Sequence, residues 1–533
     1  MSDFERKLNQ AEMLAQKGTL SRRDFMQLAA AVGITIPMAS TAFSKAQAQE
    51  QEPKKGGNLK LGMEGGSPSD SWDPRTYSDS IMMMASLTIM NGLIEFNADG
   101  SATGELLESW DVQPGAREWV FNVRKDVTFS NGKKLDADDI IYSIQIHRGE
   151  TKSPARGLLQ QISEIKALSP HQVGITLSSG NVDFPAILGD NHIVVLPKDH
   201  TDWQNPIGTG AYVLESFEPG VRVAVKNRGE YWKPNRGNFD TVEILYIQDA
   251  AARTAALQSG EVHGVNRLDP RTVDLLMKEP SISVVRTKGT GNRFCFVARV
   301  TDDPFTSKDL RMALKWGIDR EKIIKQVLNG YAILGNDHIL DPHDPFYNSS
   351  LPQRSYDPDK AAFYFKKAGV SSSAKAILQT SEGAWGSAVD CAEIYQQSLK
   401  SAGIDLDVSK VSADGYWSNV WLKAPFCASY WGRRPTADQT LSLVYSSNSD
   451  WNETNWKVPE FDKLLTEARV EFDEAKRKEM YGKCQEMIYE DGGTICFAIS
   501  DYLDGYSTSI HGVKPHARYD MDDNRVAEKA WFA

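Results

Sequence analysis

The chain has 533 residues and carries a formal net charge of −11. Because the phosphate backbone of a nucleic acid binds positive protein surfaces, this acidic balance argues against nucleic acid as a partner. A chain of this length exceeds what one hydrophobic core normally serves, so we expect two or more lobes. Its 13 Trp, 18 Tyr and 20 Phe must mostly form core, and some can line a ligand cleft.

The N-terminal residues 1–48 predict an export signal. The S-R-R-x-F run at Ser21–Phe25 is typical of the twin-arginine pathway, although an Arg-Arg pair alone also occurs on solvated helix faces. Mostly apolar or small residues follow from Met26 to Phe43, interrupted by Gln27 and Pro37, and Ala46–Ala48 fits the small-x-small rule for cleavage. The apolar stretch is shorter than the about 20 residues of a bilayer span, so we expect the signal to be removed and the mature chain to be periplasmic.

The five cysteines are scattered, and none lies near the signal, where a lipid anchor would need one. A chain that can bury a large core does not depend on covalent staples, and an odd count of widely spaced cysteines is a poor disulfide framework. We therefore expect mostly reduced, buried thiols, with one disulfide as an open alternative, among Cys295, Cys391, Cys427, Cys484 and Cys496.

Alternating apolar and polar residues predict half-buried strands in the first half of the mature chain. The strands cover residues 119–124, 173–177 and 221–226, and turn signals at 130–132 and 218–220 punctuate them.

Helical spacing dominates the second half. Leu310, Leu314 and Ile318 recur four residues apart, which predicts one helix. Pro459 occupies a favourable first position for a second helix, and residues 473–492 predict a third. The mature chain therefore mixes strand and helix signals.

Three segments resemble the signature of the dipeptide- and oligopeptide-type solute-binding proteins, family 5 of the bacterial extracellular receptors: Leu106–Trp110, Trp119–Gly132 and Asp136–Ile140. The resemblance continues in order along nearly the whole mature chain, through Asn205–Tyr212, Asn227–Trp232, Leu257–Val262 and Pro304–Arg320. Several matches in the same order are far more specific than any single one. They identify the scaffold and not the ligand.

The resemblance implies an α/β fold with two lobes, a type II periplasmic binding protein similar to cluster C, in which a hinge lets the lobes close on a ligand. The large lobe would comprise residues 57–296 and 506–533, with an extra subdomain inserted at about 83–205, and the small lobe residues 297–505. In this family the permease recognises the closed form, so ligand binding acts by shifting the population from open to closed.

The resemblance further implies a receptor of an ABC importer that captures a peptide or peptide-like solute and delivers it to the permease subunits. We expect a monomer without a cofactor. The sequence has no H-E-x-x-H metal helix, no G-x-S-x-G nucleophile elbow, no C-x-x-C pair and no G-x-x-x-x-G-K-[ST] phosphate loop, so we do not expect an enzyme. A hydrolase that has borrowed the fold and a chaperone-like or signalling binder are the alternatives.

The segment Ser429–Asp438 is the most informative about the ligand. In the peptide-binding members of the family, the corresponding stretch has a Trp followed shortly by an Asp, whose carboxylate pairs with the α-amino group of the peptide. Here the third residue after Trp431 is Arg434, and a guanidinium fits a carboxylate or phosphate but repels an ammonium. Either Asp438 binds the cation, or the ligand is anionic there, as an opine, an acidic peptide or a sugar phosphate would be. Alternatively, Arg433 or Arg434 forms a salt bridge at the cleft edge.

Further candidate ligand contacts are aromatic residues with polar neighbours and positions of the family pattern. The aromatic candidates are Trp385, Tyr416, Tyr430, Trp431 and Trp451, and the family pattern adds Ser67, Asn91 and Arg293. We assign no metal site. The only local histidine cluster, Asp337-His338 with His343, would indicate a nickel or metallophore receptor if it bound metal, and is otherwise a loop whose side chains bond the backbone.

Overall fold

The computed structural model describes residues 53–370 and 376–533. The predicted signal peptide at 1–48 lies outside the described residues. The chain divides into a unit of residues 1–54 and a unit of residues 55–533, and all described helices and strands belong to the second. No helix in the described part of the chain is long and apolar enough to span a bilayer.

The strands of the described residues occur along the whole chain, in part in runs of two to four without a helix between them. In chain order they are β1 (Asn58–Met63), β2 (Ile94–Phe96), β3 (Ala102–Gly104), β4 (Leu107–Val112), β5 (Glu118–Val123), β6 (Ile162–Ser169), β7 (Gln172–Leu177), β8 (Tyr212–Glu218), β9 (Arg222–Asn227), β10 (Thr241–Tyr246), β11 (Gly264–Val265), β12 (Ile282–Thr287), β13 (Arg293–Ala298), β14 (Ala332–Leu334), β15 (Ala376–Thr380), β16 (Leu406–Lys410), β17 (Phe426–Trp431), β18 (Thr494–Ser500), β19 (Tyr502–Ser507), β20 (Ile510–His511) and β21 (Trp531–Phe532).

The right-handed helices are α1 (Ser80–Ile89), α2 (Ala137–Gln145), α3 (Arg156–Leu159), α4 (Phe184–Ile187), α5 (Ala250–Ser259), α6 (Val273–Leu276), α7 (Lys308–Trp316), α8 (Arg320–Gln326), α9 (Pro358–Ala368), α10 (Ala388–Lys400), α11 (Tyr416–Asn419), α12 (Ala437–Tyr445), α13 (Pro459–Val470), α14 (Glu474–Asp491) and α15 (Val526–Lys529).

Seven strands form the largest sheet, in the order β12-β19-β11-β1-β10-β9-β8. β1 lies in its middle and is parallel to both neighbours, with Leu61 opposite Ile244 on β10 and Gly264 on β11. The buried side chains of β1 and β10 pack with those of α1 in one core. The predicted strand at 221–226 is confirmed as β9.

A four-stranded antiparallel sheet, in the order β4-β5-β7-β6, occurs in the chain between β1 and β8. Its core contains Trp119 stacked on Phe121 with ring centroids 5.9 Å apart, and Phe184 of α4 packs against both. The predicted strands at 119–124 and 173–177 are confirmed as β5 and β7. We call the region of this sheet and the seven-stranded sheet the large lobe.

The third major sheet has six strands in the order β14-β18-β13-β17-β15-β16, and we call its region the small lobe. β13 is buried along its whole length because β17 and β18 flank it. The helix predicted from Leu310 is confirmed as α7, which ends before Gly317 because glycine is a poor helix former. The two later helices are confirmed as α13 and α14. All five cysteines are free and buried, as the sequence predicts.

The chain passes between the two lobes twice. It leaves β12 at Thr287 and enters β13 at Arg293, and it returns directly from β18 to β19. The two passages lie side by side because β13 pairs with β18. The carboxylate of Asp501 ties them together, since it accepts the Gly289 N–H at 2.8 Å and the Arg286 Nε–H at 2.5 Å.

The C-terminal segment returns to the large lobe through a left-handed turn. Met521 to Asn524 have φ values between 54° and 62°, a conformation that costs an L residue about 1–2 kcal/mol. The turn is buried, and the Met521 N–H donates to Asp504 at 2.7 Å. α15 and the pairing of β21 with β20 then end the chain.

Candidate ligand-binding site

The arginine loop, Gly432–Pro435, leaves the end of β17 at the boundary between the lobes. Trp431 is the last residue of β17 and lies on the strand next to the first passage. At the other end of the loop, Thr436 caps α12 through its side-chain oxygen. Regular structure on both sides therefore holds Arg433 and Arg434 at the lobe boundary.

Arg433 connects the two lobes. Its guanidinium donates to the backbone oxygen of Ala517, which belongs to the large lobe, and to the backbone oxygen of His343 at 3.3 Å. One of its nitrogens also lies 3.7 Å from the carboxylate of Asp341. The contacts of Arg433 therefore agree with the alternative prediction, in which one of the two arginines forms a salt bridge at the edge of the cleft.

Arg293 lies behind Arg433 and is almost fully buried. It donates to the carboxylate of Asp341 and to the backbone oxygen of Gly291 at 2.6 Å. Burial opposes ionisation of Asp341, but the charges of Arg293 and Arg433 outweigh it and lower the pKa of that carboxyl. One carboxylate therefore serves two guanidinium groups at this point.

Arg434 differs from its neighbour. Its side chain is half-buried, and its only hydrogen bond within the described residues is a long one, 3.5 Å, to the backbone oxygen of Arg433. No carboxylate of the described residues lies within ion-pair distance of it. Arg434 therefore presents an unpaired guanidinium at the lobe boundary.

Asp438 lies in the first turn of α12 and is buried. Both of its carboxylate oxygens accept from Arg469 Nε, at 3.1 and 3.0 Å. The backbone oxygen of Arg469 in turn accepts the N–H of Val182 from the large lobe at 2.9 Å. The charge of Asp438 is thus already paired inside the protein, next to a contact between the lobes.

An aromatic wall continues from β17 beside the arginine loop. Tyr430, Trp417 and Trp451 are 37%, 38% and 43% exposed, which is unusual for side chains of this size. Tyr430 contacts Trp417 with ring centroids 5.4 Å apart, and Trp451 lies 6.0 Å from Trp431. The predicted residues Tyr430, Trp431 and Trp451 therefore belong to one aromatic cluster, which adjoins the arginine loop through Trp431, the residue before Gly432.

Glu453 holds this wall in place. Its buried carboxylate accepts from Trp421 Nε1, Trp431 Nε1 and Ser429 Oγ, each at 2.6 Å. Burial raises the pKa of Glu453, and the three donors act in the opposite direction. The carboxylate fixes the orientation of two indole rings, and the sequence alone did not single it out.

Trp385 and Tyr416 lie in the core of the small lobe. Trp385 stacks on Phe294 with ring centroids 4.8 Å apart, and Tyr416 donates its hydroxyl to the backbone oxygen of Ala428 at 2.7 Å. Both rings are buried. Both residues therefore have their partners inside the small lobe, and the structure does not place them at the arginine loop.

Ser67 and Asn91 belong to the large lobe. The half-buried Ser67 bonds within its own loop, where its N–H donates to the Asp70 carboxylate at 2.9 Å. Asn91 is fully buried, and its side chain donates to Glu105 at 3.0 Å and to the Tyr231 hydroxyl at 2.9 Å. Asn91 therefore acts as a buried polar junction in the structure.

The histidine cluster is divided between separate contacts. Asp337 bonds Arg320 at 2.6 Å and Arg354 at 2.7 Å, whereas His338 is buried and burial lowers its pKa to about 4. His343 contacts a backbone oxygen through its Nε2. Within residues 53–370 and 376–533, no group of three or more His, Cys, Asp or Glu side chains is arranged to hold a metal ion.

The model of bacterial extracellular solute-binding proteins, family 5 Middle, matches residues 101–453 of the 533. The chain belongs to family 5 of these solute-binding proteins. The predicted family is confirmed, and with it the assignment to solute-binding receptors.

Relatives of this family 5 protein cover most of its length. A dipeptide-binding protein of Pseudomonas aeruginosa is 25% identical over 503 residues, or 84% of this chain and 91% of the relative. The periplasmic binding protein DppA of Helicobacter pylori, solved with the peptide STSA, has a TM-score of 0.74 at 22% identity and covers 91% of this chain and 99% of its own. AgaA of A. tumefaciens R10, solved with agropinic acid, has a TM-score of 0.73 at 22% identity, with 90% and 99% covered. These structures confirm the predicted two-lobed α/β fold.

The structure adds two candidate residues, Tyr502 and Tyr519, to those that membership of family 5 indicates. Tyr502 is the first residue of β19, and Tyr519 precedes the left-handed turn. Both are half-buried, and each lies in the C-terminal segment, far in sequence from Arg434. Sequence patterns gave no signal for either residue.

The buried carboxyl group of Asp344 makes the free energy of unfolding of this family 5 protein depend on pH. Burial raises its pKa to about 6, and the carboxylates of Asp341 and Asp183 act in the same direction. Since the ordinary value is about 4, the native state binds more protons than the unfolded state between about pH 4 and 6. The free energy of unfolding from this group therefore falls as the pH rises through that window.

Asp344→Asn should remove this fall, and the variant should be about 1–3 kcal/mol more stable than the wild type at pH 7 and equal to it at pH 4. Urea unfolding at several pH values measures the difference. Asp359→Asn, at an exposed carboxylate at the start of α9, is the control. A variant that keeps the slope of the wild type between pH 4 and 6 would contradict the assignment.

Proposed function

We propose that the protein is a periplasmic receptor of an ABC importer that captures a peptide or peptide-like solute between its lobes and delivers it to the permease. The family resemblance puts the lobe boundaries at 296/297 and 505/506, but β13 belongs to the six-stranded sheet and β19 to the seven-stranded sheet. We therefore place the boundaries at the two passages, with residues 57–287 and 502–533 in the large lobe, its inserted subdomain at about 83–205, and residues 293–500 in the small lobe. The protein acts as a monomer and has no enzymatic activity of its own.

The observation that carries the proposal is the arginine loop at the lobe boundary. It presents the free guanidinium of Arg434 just after β17, the strand that carries Tyr430 and Trp431, while Arg433 joins the lobes through Ala517. A convergent charge next to exposed rings is what an enclosed-ligand site requires. The peptide and dipeptide in the names of DppA and the Pseudomonas relative support a peptide-like ligand.

A second candidate is a receptor for an anionic solute, such as an opine or a sugar phosphate. Arg434 favours it, because an unpaired guanidinium at the site attracts a carboxylate or phosphate and repels an α-ammonium. The charge of Asp438 is already paired with Arg469, so it does not offset Arg434. AgaA, which was solved with agropinic acid, shows that a related fold accommodates such a ligand.

A screen of solutes by thermal shift tests the proposal. The panel contains neutral and acidic dipeptides, opines, sugar phosphates and Ni²⁺, and a ligand at 100 times its Kd stabilises the protein by about 2.7 kcal/mol. We expect a peptide or a peptide-like anion to raise the Tm. If no solute of the panel raises the Tm and none copurifies with the protein, the receptor function is wrong.

Export by the twin-arginine route is part of the proposal, and it rests on the motif at Arg22 and Arg23. Replacing both by lysine keeps the positive charge but removes the paired guanidinium groups. We expect the variant to accumulate unprocessed in the cytoplasm, which fractionation and immunoblotting measure. Periplasmic protein at the wild-type level in the double variant would show that another route exports the chain.

A further inference from the structure

The hydroxyl groups of Tyr502 and Tyr519 have no hydrogen-bond partner among the residues that the structure describes. Both side chains are half-buried, and they lie deep enough for burial to raise the pKa of each phenol. Each phenol therefore stays protonated at neutral pH and keeps an O–H to donate. Neither hydroxyl oxygen is sealed from solvent, so each O–H is free to donate to a ligand that enters between the lobes.

Both tyrosines lie next to the points where the lobes meet. Tyr502 opens β19 directly after the second passage between the lobes and pairs with Thr287 of β12. Tyr519 follows Ala517, the residue whose backbone oxygen accepts from Arg433. The contact of Arg433 therefore brings the segment of Tyr519 against the arginine loop.

The segment that carries Tyr519 is held firmly. On one side of Ala517, His516 contacts the backbone oxygen of Phe96 at 3.2 Å. On the other side, Arg518 donates to the backbone oxygen of Gly189 at 3.3 Å and lies over the ring of Phe96. The position of Tyr519 is thus set by the large lobe before any ligand binds.

Backbone contacts bring the segments of the two tyrosines and of Arg434 together. The N–H of Met521, two residues after Tyr519, donates at 2.7 Å to Asp504, which lies two residues after Tyr502 on β19. Arg433, the neighbour of Arg434, donates to the backbone oxygen of Ala517, two residues before Tyr519. The electrostatic effects of Arg434 on Tyr519 and of Tyr519 on Tyr502 agree with this arrangement.

The charges around these donors favour an anion. Arg293 and Arg433 share the carboxylate of Asp341. The carboxylates nearest the two tyrosines have partners of their own, in the pairs Asp520–Arg267 at 2.9 Å, Asp190–His192 at 2.6 Å and Asp523–Arg518 at 3.7 Å. Asp344 adds a further carboxyl, whose pKa is raised to about 6. The guanidinium without a carboxylate is that of Arg434, so the region has positive charge left for a ligand.

We propose that Arg434, Tyr519 and Tyr502 form one subsite for an anionic oxygen group of the ligand, a carboxylate or a phosphate, held between the two lobes. The inference rests on the proposed function, because this subsite is part of the same cleft. Arg434 supplies a charged N–H fork from the small lobe, and the tyrosines supply O–H donors from the large lobe. Since the donors lie on both lobes, binding of the anion stabilises the closed arrangement.

Isothermal titration calorimetry with matched probe pairs tests the subsite. Alanyl-glutamate is compared with alanyl-glutamine, and glucose 6-phosphate with glucose, so that the two arms distinguish a carboxylate from a phosphate. We expect the anionic member of at least one pair to bind 10-fold or more tightly than its neutral partner. Arg434→Gln should abolish the difference, and Tyr519→Phe and Tyr502→Phe should each reduce it 3- to 10-fold, with the affinity for the neutral partner unchanged.

Two variants control for general effects on the protein. Arg271→Gln removes an exposed arginine of the large lobe, and Tyr364→Phe removes a hydroxyl from α9, away from the arginine loop. Both should keep the discrimination of the wild type. Thermal unfolding of every variant shows that the loss of discrimination does not come from unfolding.

Three outcomes overturn the subsite. The anionic and neutral partners bind equally, the phenylalanine variants keep the full discrimination, or no anionic probe binds. In each case the receptor function would still hold if a neutral peptide bound. If the protein bound no solute of the wider panel, both the subsite and the receptor function would be wrong.

Discussion

Replacement of Asp337 by alanine is expected to lower the free energy of unfolding by about 3–5 kcal/mol. The carboxylate is fully buried in the small lobe and bonds Arg320 at 2.6 Å and Arg354 at 2.7 Å. Both arginines are buried as well. Alanine would leave two uncompensated cations in the protein interior, and this penalty is far larger than the loss of an exposed ion pair.

Urea unfolding followed by circular dichroism measures this effect. Glu382→Ala is the matched control, because Glu382 forms an ion pair of 2.8 Å with Lys410 in which both side chains are about 60% exposed. We expect no measurable change for the control. If Asp337→Ala were as stable as Glu382→Ala, the two buried arginines would need another counter-charge.

Glu453→Ala should destabilise the protein by about 3 kcal/mol, on the scale of about 1–3 kcal/mol for each buried donor left unsatisfied. The substitution removes the acceptor of Trp421, Trp431 and Ser429 together. Freed indole rings should also change the tryptophan fluorescence, since two rings of the aromatic wall lose their fixed orientation. Chemical unfolding and emission spectra give the two readings.

Glu453→Gln distinguishes the charge of the carboxylate from its shape. Glutamine keeps the volume, but one of its two terminal groups donates, so it cannot accept from all donors at once. The expected loss is about half that of alanine. A glutamine variant as stable as the wild type would show that one of the three bonds is dispensable.

The periodicity of the sequence predicts the regular elements well, because burial of a strand or helix face is a local property. β5, β7 and β9 follow from alternation, and α7, α13 and α14 follow from helical spacing. The family resemblance then supplies the two-lobed arrangement, which local patterns do not contain. It also singles out Arg434, because this residue departs from the family pattern at the third position after Trp431.

Burial of individual side chains could not be predicted in the same way. Trp385 looks like a cleft residue because it is a loop aromatic with polar neighbours, and Asn91 because the family pattern points to it. Their actual partners, Phe294 for Trp385 and Tyr231 for Asn91, are distant in sequence. Tyr502 and Tyr519 were missed for the same reason, because only the return of the chain to the large lobe brings them near the arginine loop.

The pairing of β13 with β18 has a consequence for recombination between relatives. The small-lobe sheet takes all of its strands from one continuous stretch, from Arg293 to Ser500, and the ends of that stretch are neighbours, with Arg293 opposite Ile499. A cassette with adjacent ends can be exchanged at two junctions without threading the chain through the rest of the protein. Swapping this stretch would transfer the arginine loop and the aromatic wall together and leave both tyrosines behind.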